Sequence, residues 1–236
     1  MKEFLLRIPI IRSWVTNRAL SKYNSFDSGL IRIHIKYEPF TMCKEYKFLR
    51  NLSLVRRYKN VQGCIVECGT WKGGMIAGMA ELLDDNNRNY FLFDSFEGLP
   101  PAKEIDGKSA IEWQNDTEAE AYLDNCYAQE SDAQAAMALS KTKNWKTIKG
   151  WFQNTLPGYD FKEEIAILRL DGDWYESTIQ CLNNLYPKVK TGGIIIIDDY
   201  YTWEGCTKAV HDYLSKNNIS SPVMQYMDTV AFIIKK

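Results

Sequence analysis

The sequence predicts an α/β fold: a seven-stranded, mostly parallel sheet with an antiparallel C-terminal strand and helices on both faces. Three observations predict it. Short apolar runs alternate with stretches of helical spacing, the pattern of a parallel sheet wrapped by helices. Runs such as 194–197 (IIII) are apolar throughout rather than alternating, which fits strands buried on both faces. The last two runs, 223–227 and 230–234, are joined by too few residues for a crossover, so they form an antiparallel pair.

In chain order, residues 1–40 read as an N-terminal arm. Residues 1–25 carry five Lys/Arg and one Glu among Phe, Leu, Ile and Trp. The arm is read as packing on its own domain or across a homo-oligomer interface, with contact at a membrane surface as the alternative. Pro9 interrupts any single long amphipathic helix there. Residues 41–236 form one domain. Within 41–60, Phe48, Leu49, Leu52 and Val55 have helical spacing, with Thr41 as the N-cap. A strand over 63–69 follows, then a helix over 74–83 and a second strand over 90–94. Residues 98–124 show no clear period and are rich in Asp and Glu, and a stretch of that length is read as a mobile acidic lid over the ligand face. The rest reads as a helix over 125–140, strands at 146–149 and 165–170, a helix over 177–185, a strand at 193–197 and a helix over 205–216.

Composition narrows the function. With 236 residues, 45% of them hydrophobic, the chain can bury a core, which excludes a disordered or collagen-like protein. Its 29 Lys/Arg and 30 Asp/Glu leave a net charge of −1, unsuited to neutralising the phosphates of a nucleic acid. No run of about 18 apolar residues marks a membrane span. Six cysteines form no CxxC pair and are read as reduced core residues of a cytoplasmic protein. The two histidines, His34 and His211, leave little room for zinc or a histidine-based triad.

The first strand ends in Glu67-Cys-Gly-Thr-Trp-Lys-Gly-Gly74. A P-loop counted from Gly69 would need Lys and Ser/Thr where Met75 and Ile76 stand. A dinucleotide fingerprint needs glycine at position 71 so that the backbone can approach a pyrophosphate; Trp71 obstructs it, which also argues against an NAD-linked oxidoreductase. S-adenosylmethionine has no phosphate. It needs a tight turn (Gly69, Gly73), an acid near its amino group (Glu67) and an acid for its ribose hydroxyls. Asp94, ending the second strand 21 residues past Gly73, is placed for the last of these. The alternative for Asp94 is to cap a helix over 95–99.

Asp171 and Asp173 follow the fourth strand, and Asp198 and Asp199 the fifth. In a parallel sheet these tips share the carboxyl edge, where ligands bind. Converging carboxylates repel one another unless a cation joins them. Oxygen-only ligation favours Mg²⁺ or Ca²⁺ over Zn²⁺. Asp171, Asp198 and Asp199 are the candidate ligands; Asp173 is read rather as a helix cap. A metal lowers the pKa of a bound hydroxyl, and a neighbouring carboxylate can take its proton. Asp171 is the candidate base, with His211 as its rival.

The blocks ECGTWKGG, DSFEGLP (94–100), KGWFQNTLP (149–157), LRLDGDWYEST (168–178), LYPKVKTGG (185–193) and IIDDYYTWEGCTKAV (196–210) resemble the macrocin O-methyltransferase family over roughly residues 41–217. That resemblance implies a Rossmann-like class I methyltransferase, dependent on S-adenosylmethionine and Mg²⁺, that methylates a sugar hydroxyl of a small-molecule or glycan acceptor. It implies metal ligation by Asp171, Asp198 and Asp199, with Asp171 also the base. It implies cofactor contacts from Glu67, Cys68, Gly69, Thr70 and Trp71, and from Asp94, Ser95, Phe96, Gly98 and Leu99. Gly150, Trp151, Phe152 and Ser131 match the adenine side, and Thr41 and Met42 match a segment that closes over the cofactor. The arm, the short 140–145 link and the acidic 101–124 stretch depart from the family pattern, so its acceptors do not transfer. Trp174, Tyr200 and Tyr201 lie beside the metal acids and offer flat faces to a sugar ring. A catechol- or phenol-type methyltransferase and a non-catalytic S-adenosylmethionine- or sugar-binding protein are the competing readings.

Overall fold

A computed structural model describes residues 27–236. Most of the N-terminal arm therefore lies outside the described residues. Its last part, α1 (Ser28–Tyr37), is capped by the Asp27 side chain and buries Leu30, Ile31, Ile33, His34 and Tyr37. After a 3-10 turn come α2 (Glu45–Arg57), β1 (Cys64–Cys68), α3 (Gly74–Leu83) and β2 (Tyr90–Asp94). The chain continues through α4 (Lys108–Asn115), α5 (Glu130–Leu139), β3 (Trp145–Lys149), α6 (Phe152–Thr155), β4 (Ile165–Leu170) and α7 (Tyr175–Leu185). It ends with β5 (Val189–Ile197), α8 (Glu204–Lys216), β6 (Met224–Tyr226) and β7 (Val230–Ile234).

Among the described residues seven strands form one sheet in the order β3-β2-β1-β4-β5-β7-β6. Strands β1 to β5 pair in parallel, and β7 runs antiparallel to both β5 and β6. The strand order reverses between β1 and β4, which opens a crevice at their carboxyl ends. Both faces are apolar because both are covered. On one face Ile65, Ile167, Ile194 and Ile196 meet α1, α2, α3 and α5. On the other, Val66, Leu168, Ile195 and Ile197 meet α7 and α8. Alternate residues of one strand thus enter different cores, which is why 165–168 and 194–197 are apolar throughout.

Two element boundaries differ from the sequence reading for local reasons. Thr41 does not cap α2: its hydroxyl accepts the Cys43 N–H at 3.1 Å, and the cap position is Lys44. The helix read from 125 begins at Glu130, capped by a reciprocal pairing of Gln129 and Asp132. Asn125 is drawn away instead, its side chain bonding the Leu99 carbonyl and Gln114.

The acidic stretch has regular structure: a 3-10 turn at Glu104–Asp106, α4, and a 3-10 segment at Glu120–Cys126. Most of its acids face solvent, but Asp106 is buried and accepts the N–H groups of Lys103 and Tyr175. The Trp113 ring of α4 packs at about 6 Å from both Trp174 and Trp203. The Trp174 indole donates to the Pro100 carbonyl at 2.9 Å. These contacts join the stretch to an indole cluster at the start of α7 and α8.

Candidate functional site

A cavity of about 580 Å³ opens at the carboxyl ends of β1, β2, β4 and β5. That is ample for a nucleoside-sized ligand with part of a second molecule. Its floor is made by the sheet. Glu67 of β1 and Arg169 of β4 are register partners, so they project to the same face. Asp171 lies two residues beyond Arg169, and Asp198 two beyond Ile196, the β5 partner of Arg169. The period of two therefore delivers Glu67, Arg169, Asp171 and Asp198 to one face at the rim.

Arg169 is only 1% exposed and ties these acids together. Its Nη1 donates to Glu67 Oε1 at 2.8 Å and to Asp171 Oδ2 at 2.7 Å, and its Nη2 to Asp198 Oδ1 at 2.5 Å. From α2, Lys47 Nζ donates to Asp198 Oδ2 at 2.6 Å and to the Asp198 carbonyl at 2.8 Å. Neither cation was singled out from the sequence. A charge inside the otherwise apolar run ILRL was the available signal for Arg169; Lys47 sits in a helix rich in basic residues and gave none.

One oxygen from each of Asp171, Asp198 and Asp199 lies within 4.8 Å of the others, which is the spacing of a shared ion. Asp173 is not in this group, nor does it cap α7. Its Oδ1 accepts the Trp203 indole N–H at 2.9 Å, and its own N–H donates to Asp199 Oδ2 at 3.1 Å. Burial pushes the Asp171 carboxyl up to about 6, against the pull of Arg169. Burial and the neighbouring Asp171 push Asp173 up to about 7. Asp199 is raised well above the usual range by burial and then by Asp173, Asp171 and Asp198. Burial works against the charge on Asp198 too, but Arg169 and Lys47 overcome it and hold that pKa down to about 2.

The other end of the cavity is shaped by backbone. Gly69 has φ +83°, and a Cβ there would stand 1.8 Å from the Asp171 carbonyl oxygen, so only glycine lets β1 turn beneath the β4 tip. Asp94 accepts the N–H groups of Trp71 at 2.8 Å and Phe96 at 2.7 Å, with the Thr70 N–H also turned to it, and a carboxylate so held keeps acceptor capacity for a hydroxyl donor. No helix follows over 95–99, so a helix-capping role for Asp94 falls away. Glu67 is raised to about 8 by burial, and its Oε2 is a buried oxygen with no hydrogen-bond partner. Thr70 Oγ1 is in the same condition. Such atoms are costly unless a ligand supplies a donor.

Of the residues singled out from the sequence, Thr41, Met42, Glu67, Gly69, Thr70, Trp71, Asp94, Ser95, Gly98, Leu99, Trp151, Phe152, Asp171, Trp174, Asp198 and Asp199 line the cavity. Cys68, at the end of β1, and Gly73, Phe96 and Gly150, in the turns, are not among the lining residues, and Ser131 sits on the exposed first turn of α5. Trp174 meets the cavity only as a 1%-exposed member of the indole cluster. Tyr200 and Tyr201 are outside it. Tyr201 is 51% exposed, and the Tyr200 hydroxyl pairs with His211 Nε2 at 2.8 Å. His211 is likewise away from the acids. All six cysteines are free thiols; Cys43 and Cys126 are on the cavity wall rather than in the core.

The family model described as macrocin-O-methyltransferase (TylF) matches residues 41–236. The chain belongs to the macrocin O-methyltransferase family. Among family relatives, a demethyldecarbamoylnovobiocin O-methyltransferase of Streptomyces niveus is 34% identical over 172 residues, 70% of this chain and 63% of the relative. The 8-demethyl-8-(2,3-dimethoxy-alpha-L-rhamnosyl)-tetracenomycin-C 4'-O-methyltransferase of Streptomyces olivaceus is 34% identical over 186 residues, 73% of this chain and 66% of the relative. The matched part of this macrocin O-methyltransferase family chain thus spans a little under two thirds of each relative. The solved structure of the O-methyltransferase NovP superposes with a TM-score of 0.67 at 30% identity, covering 80% of each chain.

Proposed function

We propose that this chain is an S-adenosylmethionine- and Mg²⁺-dependent O-methyltransferase whose acceptor is a sugar hydroxyl of a glycoside, nucleotide-linked sugar or polysaccharide. The observation that carries the reading is the three-carboxylate cluster in the wall of the same cavity that Glu67, Gly69 and Asp94 line. One relative supports the acceptor class: it is named as a 4'-O-methyltransferase of a rhamnosyl-bearing tetracenomycin. Six free thiols support a reducing, cytoplasmic setting.

The residues present fit both groups. Glu67 Oε2 and Thr70 Oγ1 lack donors, which an amino group and hydroxyls would provide, and the Asp94 oxygens suit ribose hydroxyls. Asp171, Asp198 and Asp199 offer an all-oxygen set suited to Mg²⁺. When bound, S-adenosylmethionine supplies an electrophilic methyl and the cation supplies the charge that acidifies a hydroxyl beside it.

The chain's own residues do the rest. Asp171 takes the proton of the acceptor hydroxyl; Arg169, fixed in β4, orients that carboxylate through its Nη1. Asp94 and Glu67 hold the donor, and the 98–106 wall keeps water from the two reactants. Positioning both molecules in one cavity is itself a large part of the rate.

The test compares methyl transfer to a panel of glycosides and to catechols, with Mg²⁺ and with EDTA. Transfer to glycosides that EDTA stops is expected. Transfer to catechols alone would replace the acceptor class, and transfer undiminished by EDTA would remove the metal.

A further inference from the structure

Around Asp198 the cavity wall carries five carboxylates (Glu67, Asp171, Asp173, Asp198, Asp199) against two cations, Arg169 and Lys47. The cations differ in how they are held. Arg169 lies within β4, is 1% exposed, and bridges three acids, so it is a fixed part of the floor. The Lys47 side chain is 18% exposed and reaches the site from α2 on a flexible four-carbon stem. Its ammonium covers Asp198 Oδ2, the oxygen of that carboxylate which Arg169 does not touch.

We infer that Lys47 is a resident counter-ion of the acid cluster, holding Asp198 in the metal-free chain and competing with a divalent cation for it. This rests on the metal reading of the preceding subsection and extends it to a residue outside the carboxylate set. Asp198 keeps its orientation without Lys47, because Arg169 grips Oδ1 at 2.5 Å and the Asp198 N–H donates to the Leu170 carbonyl at 2.9 Å. Removing the ammonium therefore leaves the ligand in place and deletes a positive charge that opposes the incoming cation. The Lys47 and Asp198 side chains are 18% and 8% exposed, so such a charge is poorly screened and its removal strengthens cation binding at least about tenfold. Lys47 also donates to the Asp198 carbonyl, so it ties α2 to the β5 tip. The turn just before α2 supplies Thr41, Met42 and Cys43 to the cavity wall. Displacement of Lys47 by the cation thus loosens one tether of that wall.

The test is calorimetric titration of MnCl₂ alone into the wild-type chain, Lys47→Met and Lys47→Arg, without S-adenosylmethionine or acceptor. Lys47→Met is expected to bind Mn²⁺ at least tenfold more tightly than wild type, and Lys47→Arg within about threefold of it. Thermal melts give a second readout. Lys47→Met should melt below wild type in EDTA, and the gap should close or reverse in Mn²⁺, which a merely structural loss would not do. Lys47→Gln serves the same comparison if the methionine variant does not fold. Wild-type binding with Lys47→Met no tighter overturns the role of Lys47 and leaves the metal site standing. No Mn²⁺ uptake by any of the chains overturns both.

Discussion

The two walls of the cavity are built in different ways. The wall at the β1, β2 and β4 tips is backbone and register: a glycine turn, a carboxylate held by two N–H groups, and acids spaced two residues apart along neighbouring strands. The wall facing it is tertiary. Residues 98–106 stand where they do because Trp113, Trp174 and Trp203 cluster, because Trp174 donates to the Pro100 carbonyl, and because buried Asp106 accepts the N–H of Tyr175. A wall set by strand register can be shared across a family, whereas one set by side-chain packing can differ from member to member. The first should serve the donor and the metal, and the second the acceptor.

The largest effect that separates them is at Asp171. Asp171→Asn removes the proposed base and one proposed metal ligand, and transfer should fall by at least about 10³-fold. Affinity for S-adenosylmethionine, measured by calorimetry, should stay within about threefold, because Glu67 and Asp94 remain. Turnover retained in this variant would take Asp171 out of the mechanism.

Trp113→Ala attacks the other wall. Loss of a large indole from the cluster should cost about 2–4 kcal/mol in denaturant melts. It should raise the acceptor KM about tenfold while leaving the S-adenosylmethionine affinity unchanged. An equal loss for both ligands would erase the division of labour.

The difference between these walls also decides what could be read from sequence. Gly69, Asp94, Asp171, Asp198 and Asp199 follow directly on strand ends, and strand ends in a parallel sheet share one edge. Their convergence needed only the pattern of apolar runs. Arg169 and Lys47 were hidden because, Asp171 apart, their partners are 29 to 151 residues away, and nothing in local spacing announces such a pairing. The acidic stretch showed no period because its α4 buries little besides Ala110 and is held through the Trp113 ring and the hydrogen bonds of Gln114 with Pro100, Ala102 and Asn125. Tyr200 and Tyr201 follow the metal acids in sequence, yet the chain turns at 199–203, where the N–H groups of Thr202 and Trp203 bond the Asp199 carbonyl, and both rings leave the site.

The dependence on pH sharpens the metal side. Burial raises Asp171 to about 6, Asp173 to about 7 and Glu67 to about 8. A carboxyl whose folded pKa exceeds its unfolded value binds protons in the native state that the unfolded chain has released. Its stabilising contribution is complete below about pH 4 and is lost as pH rises through 6 to 8. Melts in EDTA should therefore fall across that window. In the proposed site Mg²⁺ binds the ionised carboxylates, so its stabilising effect should be larger at pH 8 than at pH 5.5. A Mg²⁺ effect that is flat with pH would mean that these acids do not hold it.

The smallest effect is expected at Tyr201, which is 51% exposed and away from the cavity. Tyr201→Ala should leave the acceptor KM within about twofold and stability within about 0.5 kcal/mol. A tenfold rise in KM would bring the 200–201 turn into the acceptor site.

Crystals grown with Mn²⁺ and S-adenosylhomocysteine, measured for anomalous scattering, test the central claim most directly. One peak about 2.1 Å from an oxygen of each of Asp171, Asp198 and Asp199 is the predicted result. A saturating Mn²⁺ concentration that leaves the space between these three carboxylates empty, or an ion held elsewhere, would contradict it.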